Sequence, residues 1–381
     1  MALTTIQSNN KLIQFSNEFN REMVRENLFS PYMDDSLTAV IRRRFDSKNG
    51  GEQINIPLVA RLTAQAKGVG PLAGNEEKVD AYGMRVWIDW ARNAVKTNKA
   101  ENFKDSADLF GEFKPLLTNW AKELQRDEII AAYMALPSAS SPAGLGSDGG
   151  QRVNGLLYEN STAAQKLTWQ NDNVDRILFG TLISNLNAST YATSLSNILT
   201  AQTMSASVVS LAKRIALASN PGIRPYKTQD GYEWYVMFMG VNPFRDLKAD
   251  LKTTHTTAYQ TKNEKNILFQ DGDITWDGVI VRQVPEISGF VTDVWTSLKT
   301  AGATTSRVEP YFLCGQQSMA FAYGQMARPT ELKEDDYQFS IGVGVDMAYG
   351  VAKMFKQHPA TGTPLVQWGT MTGFIAAAAD G

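Results

Sequence analysis

Between residues 51 and 98 the apolar side chains fall on alternate positions of two runs. Ile54, Ile56 and Leu58 form one, and Met84, Val86, Ile88 and Trp90 form the other. A period of two puts them on one face of a strand, so two strands face each other as a ribbon. The stretch between them, Thr63 to Asp80, holds Gly68, Gly70, Pro71, Gly74 and Asn75, a composition that breaks regular structure and marks a long hairpin tip. A two-stranded ribbon is marginal alone in water. Its Ile, Val and Trp face must therefore be covered by another body, in this chain or in a neighbouring copy.

The rest of the chain can supply a core. It has 381 residues, enough for two or three packed units, with 43% hydrophobic and 20% charged side chains, which excludes a disordered tail. Lys and Arg total 37 against 39 Asp and Glu, a formal charge of -2, so no surface-wide field gathers a polyanion and dedicated nucleic-acid binding is disfavoured. The single cysteine, Cys314, cannot form an intrachain disulfide, and no CxxC pair exists to hold zinc, which points to intracellular synthesis. Met1 to Phe19 lacks the apolar centre of a signal peptide, and no apolar run approaches the roughly 18 residues of a spanning helix. The expectation is a soluble protein without membrane contact.

Residues 1 to 50 read as an arm with local helix, from the spacing of Phe15, Phe19, Met23 and then Leu37, Val40, Ile41, with Pro31 between the pieces. Glu18, Glu22 and Glu26 alternate with Arg21 and Arg25 as helical ion pairs. From Ser106, Leu109, Phe113, Leu116, Leu117, Trp120, Leu124, Ile130, Tyr133 and Met134 predict the longest helix, with a kink or a start at Pro115; from there to Leu136 it would span about 33 Å. Pro137 to Gly155 reads as a surface connection. Beyond it, Ser205 or Ser207 caps a helix ending at Asn220-Pro221, and Trp234 to Met239 is a strand covered on both faces. A short helix runs from Asn242-Pro243 through Leu251. Strands are expected over Phe269 to Val284, broken at Asp271-Gly272 and Asp277-Gly278, and over Tyr311 to Cys314, feeding a helix from Gln316. Tyr337 to Lys356 alternates as a strand.

Catalytic patterns have no clear seat. His255 and His358 are the only imidazoles, and both read as surface residues. Cys314 lies in an apolar strand, where an inert thiol is expected, and there is no GxSxG or GxxxxGK[ST]. Gly68 to Ala73 matches GxGxxA, but Pro71 and Glu76-Glu77 stand where a helix should receive a pyrophosphate. Gly342-Val343-Gly344 sits in a strand pattern and reads as tight packing. Asp271, Asp273 and Asp277 lack the oxygen ligand and glycine of a calcium loop, since Thr275 and Trp276 occupy those places. Glu76-Glu77 and Asp335-Asp336 are adjacent and point apart, which makes them loop charge rather than an acid/base pair. Asn160-Ser161-Thr162 and Asn187-Ala188-Ser189 match a glycosylation sequon that has no meaning without secretion. No catalytic residue, cofactor or metal is assigned. Arg42-Arg43-Arg44 is the only dense basic run and follows an expected apolar helix from Leu37 to Ile41; a phosphate contact and an ion-paired arm on another subunit both suit it.

Three stretches carry a family resemblance. The first is Phe45-Asp46-Ser47-Lys48-Asn49-Gly50-Gly51-Glu52-Gln53-Ile54-Asn55-Ile56-Pro57-Leu58, with Gly68-Val69-Gly70, Leu72 to Glu77, and Ile88-Asp89-Trp90-Ala91-Arg92-Asn93-Ala94-Val95. The second is Trp234 to Phe238 followed by Asp246-Leu247, with Asn266 to Phe269 followed by Trp276 to Val281. The third is Cys314-Gly315-Gln316-Gln317-Ser318-Met319 with Asp335-Asp336-Tyr337 and Gly342-Val343-Gly344. In this order, over about residues 45 to 356, they resemble the major capsid proteins of tailed bacteriophages with the Hong Kong ninety-seven type fold, in the branch of podophage N-four.

The resemblance implies an α+β fold with an N-terminal arm (1–44), an extended loop lying over an adjacent subunit (45–100), a peripheral domain with a spine helix (101–155), an axial α/β domain (156–330) and a return to the peripheral domain with the C-terminal tail (331–381). It implies self-assembly into hexamers and pentamers that close an icosahedral shell around double-stranded DNA, contacted without sequence preference. Separate scaffolding and portal proteins, and decoration proteins in some relatives, come with it, as does assembly in the bacterial cytoplasm and residence in the virion. The subunit-interface residues so indicated are Arg42, Arg43, Arg44, Lys67, Gly68, Gly70, Glu76, Glu77, Trp87 and Trp90. Some relatives crosslink lysine to asparagine; Lys67 and Lys78 lie in the loop, without a basis for assigning either. A hydrolase using aspartates of the α/β region, and another virion component of tail or decoration type, are the competing classes.

Overall fold

The computed structural model describes residues 27–45, 53–59, 62, 64–77, 81–104, 109–140, 152–227, 231–260, 274–289, 295–331, 339–357 and 363–377. In chain order the strands and helices are β1 (Met33–Asp34), β2 (Ile41–Phe45), β3 (Gln53–Val59), β4 (Ala81–Trp87), β5 (Asp89–Asn98), α1 (Lys99–Lys104), α2 (Leu109–Met134) and β6 (Val153–Asn154). There follow α3 (Ala163–Asp172), β7 (Ile177–Phe179), α4 (Tyr191–Ser196), α5 (Ala206–Ala218), β8 (Tyr226–Lys227), β9 (Glu233–Met239), α6 (Val241–Gln260), β10 (Ile274–Trp276) and β11 (Val279–Gln283). The last are β12 (Val308–Cys314), β13 (Met319–Glu331), β14 (Ser340–Lys353), β15 (Phe355–Gln357), β16 (Leu365–Gln367) and β17 (Thr370–Ala376).

Two sheets organise the molecule. The first runs β1-β2-β13-β14-β5 with β6 beside β14; the second runs β10-β11-β9-β12-β17-β7 with β8 beside β9. The unbroken apolar run of β9 is a consequence of its central place. Tyr235, Met237 and Met239 face a core shared with Val208, Val209 and Ala212 of α5 and Phe244, Leu247 and Leu251 of α6. Val236 and Phe238 face the opposite core, with Phe29, Tyr133 and Phe312. A strand buried on both faces needs no polar alternation.

The first sheet is covered on one face by α2. Leu117 packs with Val343 and Val345, and Ile129, Ile130 and Tyr133 share a core with Met319, Phe321, Met347 and Tyr349. Pro115 lies inside α2, which starts at Leu109, so of the two expectations for Pro115, a kink or a start, the start is excluded. The same core holds residues from both sheets, Cys314 and Phe374 alongside Met319 and Val351.

Several expectations are corrected. Leu37 to Ile41 is not a helix: β2 begins at Ile41 and lies parallel to β13, pairing Ile41 with Met319 and Phe45 with Tyr323. Its β-branched Val40 and Ile41 are fully buried, as is Phe29, so residues 29–45 belong to the body rather than to a free arm. The helical pattern at Phe15 to Met23 lies outside the described residues. No helix starts at Gln316; Met319, Phe321 and Tyr323 alternate with Ala320 and Ala322 along β13, and two small faces of unequal size read falsely as helical spacing. The helix through Leu251 continues to Gln260. The sheets also divide the chain differently from the expected boundaries: β13 joins the first sheet, and β17, within the expected return segment, sits between β12 and β7 of the second. The α5 helix does start after Ser205 and end before Asn220-Pro221.

Candidate assembly interface

The ribbon forms as its alternation predicts. β3 and β4 pair antiparallel, Ile54 opposite Val86 and Ile56 opposite Met84. Its apolar face, however, has a partner in its own chain: Ile54, Ile56, Leu58, Met84 and Val86 pack on Ala320, Ala322, Ala352, Met354 and Phe355, on the face of the first sheet opposite α2. Of the two coverings the sequence leaves open, this chain or a neighbouring copy, the structure shows the first, against what a loop lying over an adjacent subunit would imply. The covering residues are mostly alanines, which carry no amphipathic signal. The ribbon strand also ends at Trp87, and Trp90 belongs to β5, paired with Ala348 of β14.

Among the described residues, the tip from 64 to 76 is exposed throughout. Lys67, Gly68, Gly70 and Glu76 are exposed, and a Cβ built on Gly68 or Gly70 would meet nothing within 4 Å. Leu62, Val69 and Leu72 are exposed there too, an apolar group that alternation and glycine content had not singled out. The tip is nonetheless shaped. Glu77 Oε2 accepts from the Ala64 amide at 2.9 Å across its neck, Glu76 Oε2 accepts from the Gly74 amide at 2.7 Å, and Gly74 holds a left-handed φ of 80°. Thus Glu76 and Glu77 brace the tip from inside.

At the base of the ribbon a polar clamp fixes its exit angle. The Trp87 amide donates to Asn154 Oδ1 at 2.8 Å, and Asn154 Nδ2 donates back to Trp87 O at 3.0 Å. Next to it Arg152 Nε donates to Glu128 Oε1 of α2 at 2.8 Å and Arg152 Nη1 donates to Trp90 O at 2.7 Å. Burial, followed by the Glu128 carboxylate, holds the Tyr349 phenol beside this pair well above its ordinary value. Sequence reasoning missed Asn154, Arg152 and Glu128, because they are far apart in the chain and show no spacing pattern.

The ten indicated residues therefore fall into three places. Lys67, Gly68, Gly70, Glu76 and Glu77 are at the tip; Trp87 and Trp90 sit at the clamp, Trp90 with its side chain 52% exposed; Arg42, Arg43 and Arg44 are on β2, separated from β5 by β13 and β14. Arg43 Nε lies 3.8 Å from Asp35 Oδ1, and burial, then repulsion from Arg44, lowers the Arg42 guanidinium below its ordinary value. Cys314 is fully buried with its thiol pushed up to about 12 by desolvation, Asp277 turns a hairpin at φ 48° and pairs with Lys213 at 2.9 Å, and a Cβ on Gly344 would meet Thr330 Oγ1 at 2.7 Å. Each matches the packing or turn role read from sequence. Among the described residues no group of three His, Cys, Asp or Glu could hold a metal ion, and no helix is long and apolar enough to cross a membrane.

A two-sheet α+β body with one long helix and a projecting hairpin is the architecture of phage capsid subunits, and comparison with solved structures bears this out. The capsid protein of cyanophage Pam1 superposes with a TM-score of 0.84 at 32% identity, covering 100% of both chains. The capsid of Ralstonia phage GP4 gives 0.69 at 19% identity over 100% of both, and the head of Helicobacter pylori bacteriophage KHP40 gives 0.66 at 13%, over 97% of this chain and 96% of that one. No curated protein matches the sequence. The family model described as phage capsid protein matches residues 3–374, and the chain belongs to that family. It is a major capsid protein, a component of the phage virion.

Proposed function

We propose that copies of this chain associate as hexamers and pentamers and close an icosahedral shell around double-stranded DNA in the cytoplasm of a bacterial host. The observation that carries this reading is the tip. Residues 64–77 stand off a body whose own core is complete, present exposed Val69 and Leu72, and are braced internally by Glu76 and Glu77. A shaped, apolar, unoccupied projection suits contact with a neighbouring subunit. In this reading residues 45–100 are the extended loop, α2 is the spine of a peripheral domain built on the first sheet, and the second sheet is the axial domain. The near-neutral formal charge of -2 suits a container that must release its genome. Separate scaffolding and portal proteins complete assembly, and no catalytic role is proposed.

Electron microscopy with mass photometry, on the protein expressed alone and with its scaffolding partner, tests the proposal. Closed shells with five- and six-fold capsomers are expected; a stable monomer or dimer under all these conditions would refute it. Arg44→Glu belongs in the same experiment. If Arg44 faces an acidic surface of a neighbour, this variant lowers particle yield, and more so at low salt, because screening weakens exposed charge pairs. An unchanged yield at low salt would make the basic run solvated surface only.

A further inference from the structure

The chain passes between the two sheets twice at the same place. Residues 315–318 lead from β12 to β13, and the described residues 354–357 and 363–369 lie between β14 and β17. The two passages are tied together: Met354 N donates to Ser318 O at 3.0 Å, Gly315 N to Gly369 O at 2.9 Å, and Thr370 Oγ1 to Ser318 O at 3.2 Å. This strap ties the edge of one sheet to the other beside the core they share.

A lysine is sealed inside it. Lys353, at the end of β14, is 2% exposed. Its Nζ donates to Tyr133 O of α2 at 3.0 Å and lies 5.1 Å from the centre of the Trp169 ring of α3. The Gln367 amide of β16, turned so that its hydrogen bonds are satisfied, accepts from Lys353 Nζ at 3.3 Å and from Trp169 Nε1 at 2.6 Å. The titratable group facing the amine is the Cys314 thiol from β12, and next to that thiol lies the Tyr133 phenol from α2, which bonds Ser318 Oγ at 3.1 Å. Both are raised by burial and stay protonated and neutral near pH 7. Among the described residues no carboxylate pairs with Lys353. Two neutral acceptors and a ring satisfy a neutral amine, whereas a buried ammonium without a counter-charge is costly.

We propose that Lys353 is a proton-operated latch on this strap: uncharged, it locks the two passages and the sheets they join, and once protonated it loosens them, so that the seating of one sheet on the other responds to pH. Desolvation supports this by bringing the amine down to about 7, within the range a cell or virion meets.

Cys314 provides the readout, since it is the only cysteine of the chain, is fully buried and faces the same amine. The full-length protein is labelled with 4,4′-dithiodipyridine from about pH 9.5, below the ordinary lysine value, down to about 6, each rate being divided by that of a free model thiol at the same pH. With the closed amine titrating at about 7 and an exposed lysine at about 10.4, the latch predicts a normalised rate that rises as pH falls between these values, approaching tenfold per pH unit, the limit for one-proton linkage, and that levels off below 7. Hydrogen exchange at the amides of Met354 and Trp368 should lose protection in step, while the amides of β9 keep theirs, which separates local loosening from acid unfolding. Lys353→Met should abolish the rise, and the double variant His255→Gln, His358→Gln should retain it. A flat normalised rate in the wild-type protein overturns the proposal without need of any variant. The same rise in Lys353→Met, or its loss in the histidine variant, also overturns it.

Discussion

At Gly350 the first sheet comes so close to the ribbon base that a Cβ would land on the Trp87 carbonyl, the same oxygen that accepts from Asn154. Two devices thus set one geometry: the missing side chain lets the backbones approach, and the Asn154 amide locks them there. Gly350→Ala should cost about 1–3 kcal/mol through forced displacement. Asn154→Ala removes two hydrogen bonds to the Trp87 backbone and should cost about 2 kcal/mol. Because both act on the same contact, the double variant should fall short of the sum, as neighbours in one network do. Urea midpoints of the unassembled subunit measure all three, and strict additivity would show that the two devices are independent. Of this clamp only Trp87 was legible in the sequence. Asn154 stands in a Gly- and Ser-rich connection that looks like linker, and its role appears only once β6 is placed beside β14.

The ribbon shows what a pattern in sequence can and cannot convey at the scale of an element. Alternation identified β3 and β4 because side-chain period is a local property of the backbone. It could not name the covering surface, since Ala320, Ala322 and Ala352 are small and lie more than 200 residues away along the chain. The same locality explains the two misread segments. Ile41 to Phe45 and the stretch from Met319 owe their strand state to pairing with each other in β2 and β13, a long-range contact that overrides spacing, while Leu37 to Val40 form the turn that leads into β2. The packing makes a sharp prediction at Ile56, which is fully buried beneath the ribbon. Ile56→Ala should destabilise the subunit by about 2–5 kcal/mol by the urea midpoint, the cost of a core truncation. If the ribbon instead used its apolar face only against a neighbouring copy, the isolated subunit would lose less than about 0.5 kcal/mol.

At the scale of the whole molecule, the sequence carried the α+β class and the family resemblance, whereas the exchange of strands between the sheets required coordinates. β17 reaches the second sheet only after β13 and β14 have entered the first, so the second sheet is completed by the last described strand, and the two sheets share one core. This makes the body one cooperative unit from which the tip projects, and it separates folding from assembly experimentally. Residues 63–80 can be replaced by a short Gly/Ser turn joining β3 to β4. A Cβ on Gly68 or Gly70 would meet nothing within 4 Å, Leu62, Val69 and Leu72 face solvent, and the Glu76–Gly74 and Glu77–Ala64 hydrogen bonds lie within the tip. No described core residue is lost, so the subunit should keep its urea midpoint to within about 0.5 kcal/mol, as expected for changes away from buried contacts. Shell formation should nevertheless fail, giving soluble subunits by mass photometry where the full-length protein gives closed particles. Normal shells from the shortened chain would remove the tip from the assembly contact, and a collapse of the unfolding midpoint would show that the tip supports the fold of its own subunit.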